Sequence, residues 1–495
     1  MVIQIVARAN QAGIRTTPSQ FFDTLTVRKL AQNATKELLA IDQGDVIGEV
    51  PFTSLMCRHL DINAPHPVSQ VVRVALDFDV NVDLVTRALR NVIGHHDALR
   101  IAYRHDVQWT GTHTPKSSID VQVLEVRREN SDQEDELIAS VVGELNDRFC
   151  LETGTLVAAA VVTSTHLDSN ELIIAIHHMA VDAVSWASIL EDFLLAYEQL
   201  ATGTPLQLPA KTSSFRDWAI ASAAATPLNT VAPPESNVAT AEIFPRDFPG
   251  DTMNRCADLV TEVIWVNTEI TQQLLHNLPR TFRPHEVLVS ALGIALLNYS
   301  GGDSIQVDIE SHGRNGFDEQ LDLSRTVGWF TEIKPISIAA VVQDSVGECL
   351  ASVRDQLRSQ AKLTPASSPV LFNYLGKAEQ LFPTDDRLKF VEPLQLWRHP
   401  QCSRDHEFEF NATIIDGRLQ LHWSYNSKWH AEQTIRDLGR DLVKSLRHVI
   451  SYAIDPEVKV FASPTDFPHA KLDSSKLKKL AMALDKKSNK KKDGA

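Results

Sequence analysis

A short apolar run in the first half of the chain is followed by apolar residues at helical spacing. Residues 172 to 176 form a continuous apolar stretch, which is typical of a strand buried on both faces. Downstream, apolar side chains recur with the period of a helix, at Ile189, Leu190, Phe193, Leu194 and Tyr197. The pattern predicts a strand, a turn and a helix. His177, His178 and Asp182 fall in that turn, where function is commonly located.

A second strand is predicted from residues 306 to 310, which alternate polar and apolar with a period of two and end at Glu310. Between the two patterns, residues 221 to 251 are rich in Ala, Thr, Pro and Asn, a composition typical of a connecting segment. The chain is therefore expected to form two lobes, one with the His178 turn and one with the Glu310 turn.

Composition and charge narrow the class of protein. A chain of 495 residues with 43% hydrophobic residues exceeds one ordinary domain and can bury a large core. The net charge of −15 argues against a nucleic-acid binder. From Lys471 to Ala495, nine lysines and three aspartates give a net +6, which leaves −21 on the rest. Such a run is typical of a solvated tail, although it could also dock an acidic partner.

The cysteines and the apolar segments indicate a cytoplasmic protein. The five cysteines are far apart and odd in number, without metal-ligand spacing, which favours a reducing compartment. The first residues lack the pattern of a secretory signal, and no apolar run approaches the roughly 20 residues that span a bilayer. We therefore expect a soluble protein without membrane or nucleic-acid partners.

Several segments together resemble one enzyme family. Residues 177 to 186 resemble the HHxxxDGxSW signature of the condensation superfamily of nonribosomal peptide synthetases. Residues 310 to 315 and 322 to 331 resemble the EGHGRE and DLSRTVGWFT elements of its epimerization branch. Further elements, HHDALR, SFxxW and FNYLG, match residues 95–100, 214–218 and 372–376. The resemblance extends over roughly residues 45 to 468.

This resemblance implies an α/β fold, a pseudodimer of two chloramphenicol acetyltransferase-like lobes in a V with the active site between them. The implied organisation is an N-terminal lobe, an inter-lobe linker, a C-terminal lobe and a lysine-rich tail, at residues 45–219, 220–254, 255–468 and 469–495. Residues 1–44 are expected to hold the C-terminal remnant of a peptidyl carrier domain and a linker, because residues 1–34 resemble the last carrier helices. An unrelated amphipathic helix and turn is the alternative.

The implied activity is L-to-D epimerization at the α-carbon of an aminoacyl or peptidyl thioester. A carrier domain, in cis or in trans, would present this substrate on its phosphopantetheine arm, and no directly bound cofactor is required. Residues 301 to 305 spell the carrier attachment motif GGDSI, but the alternating pattern that follows favours a strand over a pantetheine site at Ser304.

By resemblance, His178 and Glu310 are the acid/base pair, with their division of roles open. A histidine can exchange a proton near neutral pH, and a carboxyl can do so when it is shielded from water. Asp182 would be a buried structural charge, and we expect Arg314 as its partner. Without the family context, His177 and His178 would be packed histidines, with Asp182 as a helix cap.

Supporting roles are expected for three more residues. His177 would orient the loop, and Asn373 and Tyr374 would shape the site or stabilise an enolate oxygen. A buried tyrosine bonded to backbone is an equal alternative for Tyr374. No metal site is expected from His95, His96 or His312, because no third ligand lies at sensible spacing.

Three positions depart from the family pattern. Ala183 and Ser311 replace glycines, and Asn315 replaces the last glutamate. If those turns need positive φ, each lost glycine would add strain of roughly 1–3 kcal/mol. The alternatives to an active epimerase are a condensation domain, which typically lacks the glutamate and the LSRTVGWFT segment, and a catalytically silent carrier-docking module. A coenzyme A acyltransferase is less favoured, because its DFGWG-type element has no counterpart.

Overall fold

The structure is a computed structural model of the chain. It describes residues 2–17, 20–21, 26–35, 39–63, 66–106, 109–128, 134–164, 170–225, 243–248, 250, 253–279, 281–314, 320–340, 346–359, 368–380, 385–392 and 394–455.

A mixed sheet forms the centre of the first lobe. Four of its strands come from the first half of the chain, β2 (Val68–Leu76), β5 (Val123–Arg128), β6 (Val157–Ser164) and β7 (Asn170–His177). Two short strands come from the second half, β12 (Leu388–Phe390) and β13 (Gln395–Arg398), and both pair antiparallel with β2. The order is β12-β2-β7-β6-β5, with β13 also on β2. A separate small sheet contains β1 (Glu49–Val50), β4 (Trp109–His113) and β3 (Ile101–His105).

The second lobe is built on a six-stranded sheet of order β10-β9-β11-β14-β15-β8. Its strands are β8 (Leu259–Trp265), β9 (Ser304–Ser311), β10 (Glu332–Ala339), β11 (Val370–Lys377), β14 (Phe408–Ile415) and β15 (Arg418–Asn426). The pairs β9–β11 and β11–β14 are parallel, and the remaining pairs are antiparallel.

Helices cover the sheets. The first lobe carries α3 (Ser54–Asn63), α4 (Val82–His95), α5 (Glu134–Asn146), α6 (Ser185–Thr202) and α7 (Phe215–Ala225). The second carries α8 (Thr268–Gln272), α9 (Pro284–Ser300), α10 (Val346–Arg358) and α11 (Glu432–Ile454). Before them lie α1 (Val2–Gln11) and α2 (Val27–Asn33). In the described part of the chain, no helix has the length and apolar character needed to cross a membrane.

The two predicted strands and the predicted helix are confirmed. Strand β7 contains the apolar run, and the side chains from Glu171 to His177 are all buried. Helix α6 buries Ile189, Leu190, Phe193, Leu194 and Tyr197, as its helical spacing requires. Ser304 begins strand β9, which runs to Ser311, so the GGDSI segment leads into a strand.

The chain crosses between the lobes more often than the sequence suggested. Strands β12 and β13 lie within the predicted C-terminal lobe, yet they join the sheet of the first lobe. Val327, Trp329 and Phe330 likewise belong to the hydrophobic core of the first lobe. Core formation therefore depends on both halves of the chain, and the predicted boundary at residue 219 also falls inside α7.

Other predicted segments lie at or beyond the edge of the description. The lysine-rich tail at 469–495 and residues 226–242 of the predicted linker are outside the described residues. The proposed carrier remnant contains α1 and α2, and Asn10 Nδ2 in α1 donates to Asp322 Oδ2 at 3.1 Å. Its descent from a carrier domain stays a prediction.

Candidate active site

His178 lies directly after strand β7, in a short 3₁₀ turn that spans His178–Ala180. Its Nδ1 is 3.0 Å from the carbonyl oxygen of Val181. A carbonyl only accepts, so Nδ1 carries the proton and Nε2 of the neutral ring keeps its lone pair. Burial lowers the pKa of His178, and the charge of Arg398 lowers it further. The half-buried imidazole is therefore neutral near pH 7 and able to accept a proton at Nε2.

Glu310 is the penultimate residue of β9 in the other lobe. It pairs with Ile333 of β10. On the other side, the parallel pairing of Ile309 with Phe372 places Asn373 beside it. Burial raises the pKa of Glu310 to about 7. A half-buried carboxyl with this pKa can donate or accept a proton at physiological pH.

The two turns are joined by the ion pair expected from the sequence. Arg314 Nη2 donates to both oxygens of Asp182, at 2.7 and 2.9 Å, and all these groups are buried. The same nitrogen donates to Ser185 Oγ at 3.0 Å, and Ser185 Oγ donates to Asp182 Oδ1 at 2.7 Å. Asp182 Oδ1 also accepts a hydrogen bond from the backbone N–H of Ser185, the first residue of α6, at 2.9 Å. The N-cap of α6 is Val184, so the pairing with Arg314 describes Asp182 better than the helix-cap alternative does.

The segment from residue 321 to 330 contacts both Arg314 and His178. Arg314 Nη1 donates to the carbonyl of Thr326 at 2.6 Å, and its guanidinium lies 4.0 Å above the ring of Phe330. Gly313 has a φ of +58°, and a Cβ at this position would lie 1.6 Å from the carbonyl oxygen of Phe330. The ring of Trp329 contacts His178, with 4.7 Å between centroids. The segment therefore links the Glu310 turn to the His178 turn.

The predicted supporting residues adjoin one or other of the two candidates, His177 in the chain and Asn373 in the sheet beside Glu310. His177 is buried, and its Nδ1 accepts a hydrogen bond from the backbone N–H of Met179 at 3.3 Å. Burial lowers the pKa of His177 to about 3, so its ring stays neutral. Tyr374 follows Asn373 on β11, and burial raises its pKa to about 12, so it remains a hydrogen-bond donor. Catalytic roles for these residues stay predictions.

The altered glycine positions do not carry the strain that a positive φ would cause. Among the described residues, the one non-glycine residue with positive φ is Asp416. Ala183 and Ser311 therefore adopt backbone angles open to any residue, and Ser311 pairs with Glu332 as a regular part of β9. The glycine that the turn needs is Gly313, which the chain retains. Asn315 lies outside the described residues.

The sequence analysis missed a third potential ligand beside His95 and His96. Asp192 of α6 lies with them, and the ligand atoms of the three residues are within 4.8 Å of one another. However, Asp192 already bonds His96 Nε2 at 2.9 Å and accepts from Arg325 Nη2 at 2.6 Å. The fixed charge of Arg325 opposes a cation there. This group instead attaches the 321–330 segment to α6.

Arg398 was also missed. It ends β13, donates to Glu409 Oε2 at 2.9 Å, and its charge acts on both His178 and Glu310. Burial pushes the pKa of Glu409 upward, but the charges of Arg398 and Arg404 outweigh it and hold the pKa at about 2. Because β13 lies far along the chain from either motif, spacing alone gave no signal for this cation.

Fold and site together define a two-lobed domain of the chloramphenicol acetyltransferase-like pseudodimer type. A family model described as "Condensation domain" matches residues 59–230 and 281–467. The chain belongs to the condensation-domain family.

The chain is also similar to solved structures and to curated relatives. The epimerization domain from the third module of tyrocidine synthetase B aligns with a TM-score of 0.71 and 24% identity over 83% of this chain and 99% of that one. The first condensation domain of the CDA synthetase aligns with a TM-score of 0.57 and 15% identity, covering 83% and 98%. A linear gramicidin synthase of Brevibacillus parabrevis is 30% identical over 95% of this chain, which spans 7% of that relative.

Proposed function

We propose that this chain epimerizes the α-carbon of an aminoacyl or peptidyl thioester presented on the phosphopantetheine arm of a carrier domain in nonribosomal peptide synthesis. The observation that carries the proposal is the protonation state of the two candidate residues. His178 is neutral with its Nε2 open, and the pKa of Glu310 is raised to about 7. The two groups, which lie on different lobes, can therefore hold one proton between them near neutral pH.

This state suits removal and return of a proton on opposite faces of one carbon. Nε2 of His178 takes the α-proton, and the electron pair moves into the thioester to form an enolate. Protonated Glu310 then gives its proton to the opposite face, which leaves an imidazolium and a carboxylate. Each positioned acid or base contributes a factor of about 10²–10⁴. In the reverse direction the same two groups exchange roles.

The surrounding residues support this chemistry without moving a proton themselves. The O–H of Tyr374 and the amide of Asn373, which lies beside Glu310, are available to donate to the enolate oxygen as charge develops. The ion pair of Asp182 and Arg314 holds the two turns in register. The charge of Arg398, which acts on both members of the pair, favours the neutral form of His178.

Amide-bond formation between two carrier-bound substrates is the second candidate, and the family model favours it by its description. A condensation reaction has no need for a carboxyl of raised pKa on the second lobe, so Glu310 separates the two candidates. A silent docking module, the third candidate, would need neither His178 nor Glu310.

The test is a chirality assay. A carrier loaded with an L-aminoacyl pantetheine is incubated with the chain in D₂O, and the released acid is analysed for configuration and deuterium. Epimerization gives a mixture of L and D with deuterium at the α-carbon, and the D product is lost in both His178→Ala and Glu310→Ala. Condensation gives an amide when a second loaded carrier is added, with the L configuration retained. Retained configuration, no amide and intact carrier binding would identify a silent module.

A further inference from the structure

Cys256 and Cys402 lie opposite each other although they are distant in sequence. Arg255 and Ser403 form an isolated antiparallel bridge. The N–H of Cys256 donates to the carbonyl of Cys402 at 2.9 Å, and the N–H of Arg404 donates to that of Asn254 at 2.8 Å. The residues that follow and precede such a bridge are cross-strand neighbours, with Cα atoms about 5.5 Å apart. Disulfides span Cα separations of about 4.4–6.8 Å.

The side chains meet as the backbone register requires. The two thiols are close enough for each to shift the pKa of the other, and the Cys402 thiol donates to the carbonyl oxygens of His66 and Pro67, each at 3.9 Å. Cys402 is 1% exposed, whereas Cys256 is half-buried. The pair therefore consists of one partly exposed cysteine and one buried cysteine beside it.

Nearby charges distinguish the two sulfurs further. The neighbouring thiol of Cys402 lowers the pKa of Cys256, and the guanidinium groups of Arg398 and Arg404 lower it as well. The neighbouring thiol of Cys256 and burial raise the pKa of Cys402. Cys256 is thus the thiol with more thiolate character, which is the nucleophilic form.

The pair stands at a junction between the lobes. Cys402 follows β13, which belongs to the sheet of the first lobe, and Cys256 precedes β8, the edge strand of the second sheet. A covalent bond here would tie the crossover strand that ends at Arg398 to the second lobe.

We propose that Cys256 and Cys402 are a redox modification site, at which hydrogen peroxide drives formation of a disulfide between the lobes. The Cys256 thiolate attacks a peroxide oxygen to form a sulfenic acid and releases water after protonation. The Cys402 thiol then attacks the sulfenic sulfur, and a second water leaves. In total, two thiols and one hydrogen peroxide give one disulfide and two waters. This site goes beyond the proposed function and does not depend on it.

Stepwise addition of hydrogen peroxide to the reduced chain, followed by thiol counting after denaturation, tests the proposal. The count is expected to fall from five to three and to return to five with dithiothreitol. Tryptic digestion without reductant should yield residues 256–280 joined to 399–404, with a mass two hydrogens below the sum of the two peptides.

Two variants make the assignment specific. Cys256→Ser should abolish the joined peptides, while Cys150→Ser, which alters another half-buried cysteine, should leave them intact. Oxidation of Cys256 to sulfinic acid without a joined peptide, retention of all five thiols, or a joined peptide from a different cysteine would each overturn the proposal. The parent chain alone decides these outcomes, even if a variant fails to fold.

Discussion

Arg314 reaches across the two lobes to Asp182, with Nη2 at 2.7 and 2.9 Å from the two carboxylate oxygens. Asp182 follows His178 by four residues, and Arg314 follows Glu310 by four residues. One buried ion pair therefore fixes both turns that follow a candidate acid/base residue. Its position indicates a structural role for Asp182, because the carboxylate is fully engaged with Arg314 and Ser185.

Replacement of Asp182 by alanine should cost stability because it leaves Arg314 buried without a counter-charge. Orphaning a buried ion costs about 3–5 kcal/mol, and urea unfolding should show this loss. Asp83→Ala is the control, since Asp83 pairs with Arg87 at 3.5 Å on an exposed face, where such pairs contribute about 0–1 kcal/mol. An Asp182→Ala protein as stable as the Asp83→Ala protein would rule out the structural role.

Gly313→Ala should disrupt the site more than a change of φ alone explains. The added Cβ would lie 1.6 Å from the carbonyl oxygen of Phe330, so the 321–330 segment must move. Gly301 also has positive φ, +66°, but no atom lies within 4 Å of its Cβ position. Gly301→Ala should therefore lower the free energy of unfolding by only about 1 kcal/mol, because alanine disfavours the left-handed conformation. Gly313→Ala should lower it several times more, as measured by thermal or urea unfolding. Equal costs would contradict the packing account.

Restoring the family glycine at Ser311 should bring no benefit. Ser311 lies within β9 without a positive φ, so there is no strain for glycine to relieve. Glycine in a strand loses more conformational freedom on folding, and Ser311→Gly should lower stability by roughly 0.5–1 kcal/mol. Ala183→Gly should behave in the same way. Increased stability in either variant, measured by chemical denaturation, would show that the present residues are strained.

The sequence predicted the elements that carry the motifs because local patterns determine them. The apolar run before His177 and the alternation before Glu310 each specify a strand within a few residues. The contact between Asp182 and Arg314 could also be anticipated, since the turns that contain them had to meet if the motifs formed one site.

Arg398 and Asp192 could not be predicted in the same way. The strand that ends at Arg398 is four residues long, with exposed and half-buried positions that give no periodic signal. It is held by pairing with β2, more than 300 residues earlier in the chain. Apolar spacing predicts the helix that contains Asp192, but it gives no information about the partners of Asp192. Those partners, His96 and Arg325, come from separate segments of the chain. Such contacts depend on the tertiary fold.

The raised pKa of Glu310 predicts a pH-dependent stability cost. The pKa of the Glu310 carboxyl is about 7 in the folded chain, which is above its value in the unfolded chain. This group therefore favours the folded state most at pH values below the unfolded pKa, and the stability is lost as the pH rises through 7. Glu310→Gln does not titrate, so from pH 4.5 to pH 8 the variant should gain about 1–3 kcal/mol relative to the parent, after allowance for partial exposure.

Glu409→Gln provides the opposite sign, because the pKa of Glu409 is lowered to about 2. Its carboxylate stabilises the fold above the unfolded pKa, and the variant should lose stability at pH 8. Unfolding curves at both pH values measure the two differences. A Glu310→Gln protein whose stability relative to the parent does not change with pH would show that the carboxyl is ordinary.

Glu310→Gln should also reveal which face of the α-carbon His178 serves. The variant keeps the open Nε2 of His178 but has no carboxyl to protonate the opposite face. His178 should still remove a proton from one enantiomer and return a deuteron to the same face. In D₂O, one of the two loaded enantiomers should therefore exchange its α-proton with retention, and the other should not. His178→Gln is the matched variant, and it should exchange the opposite enantiomer through Glu310. Exchange of both enantiomers by one variant, or the same enantiomer by both variants, would exclude a two-base mechanism at this site.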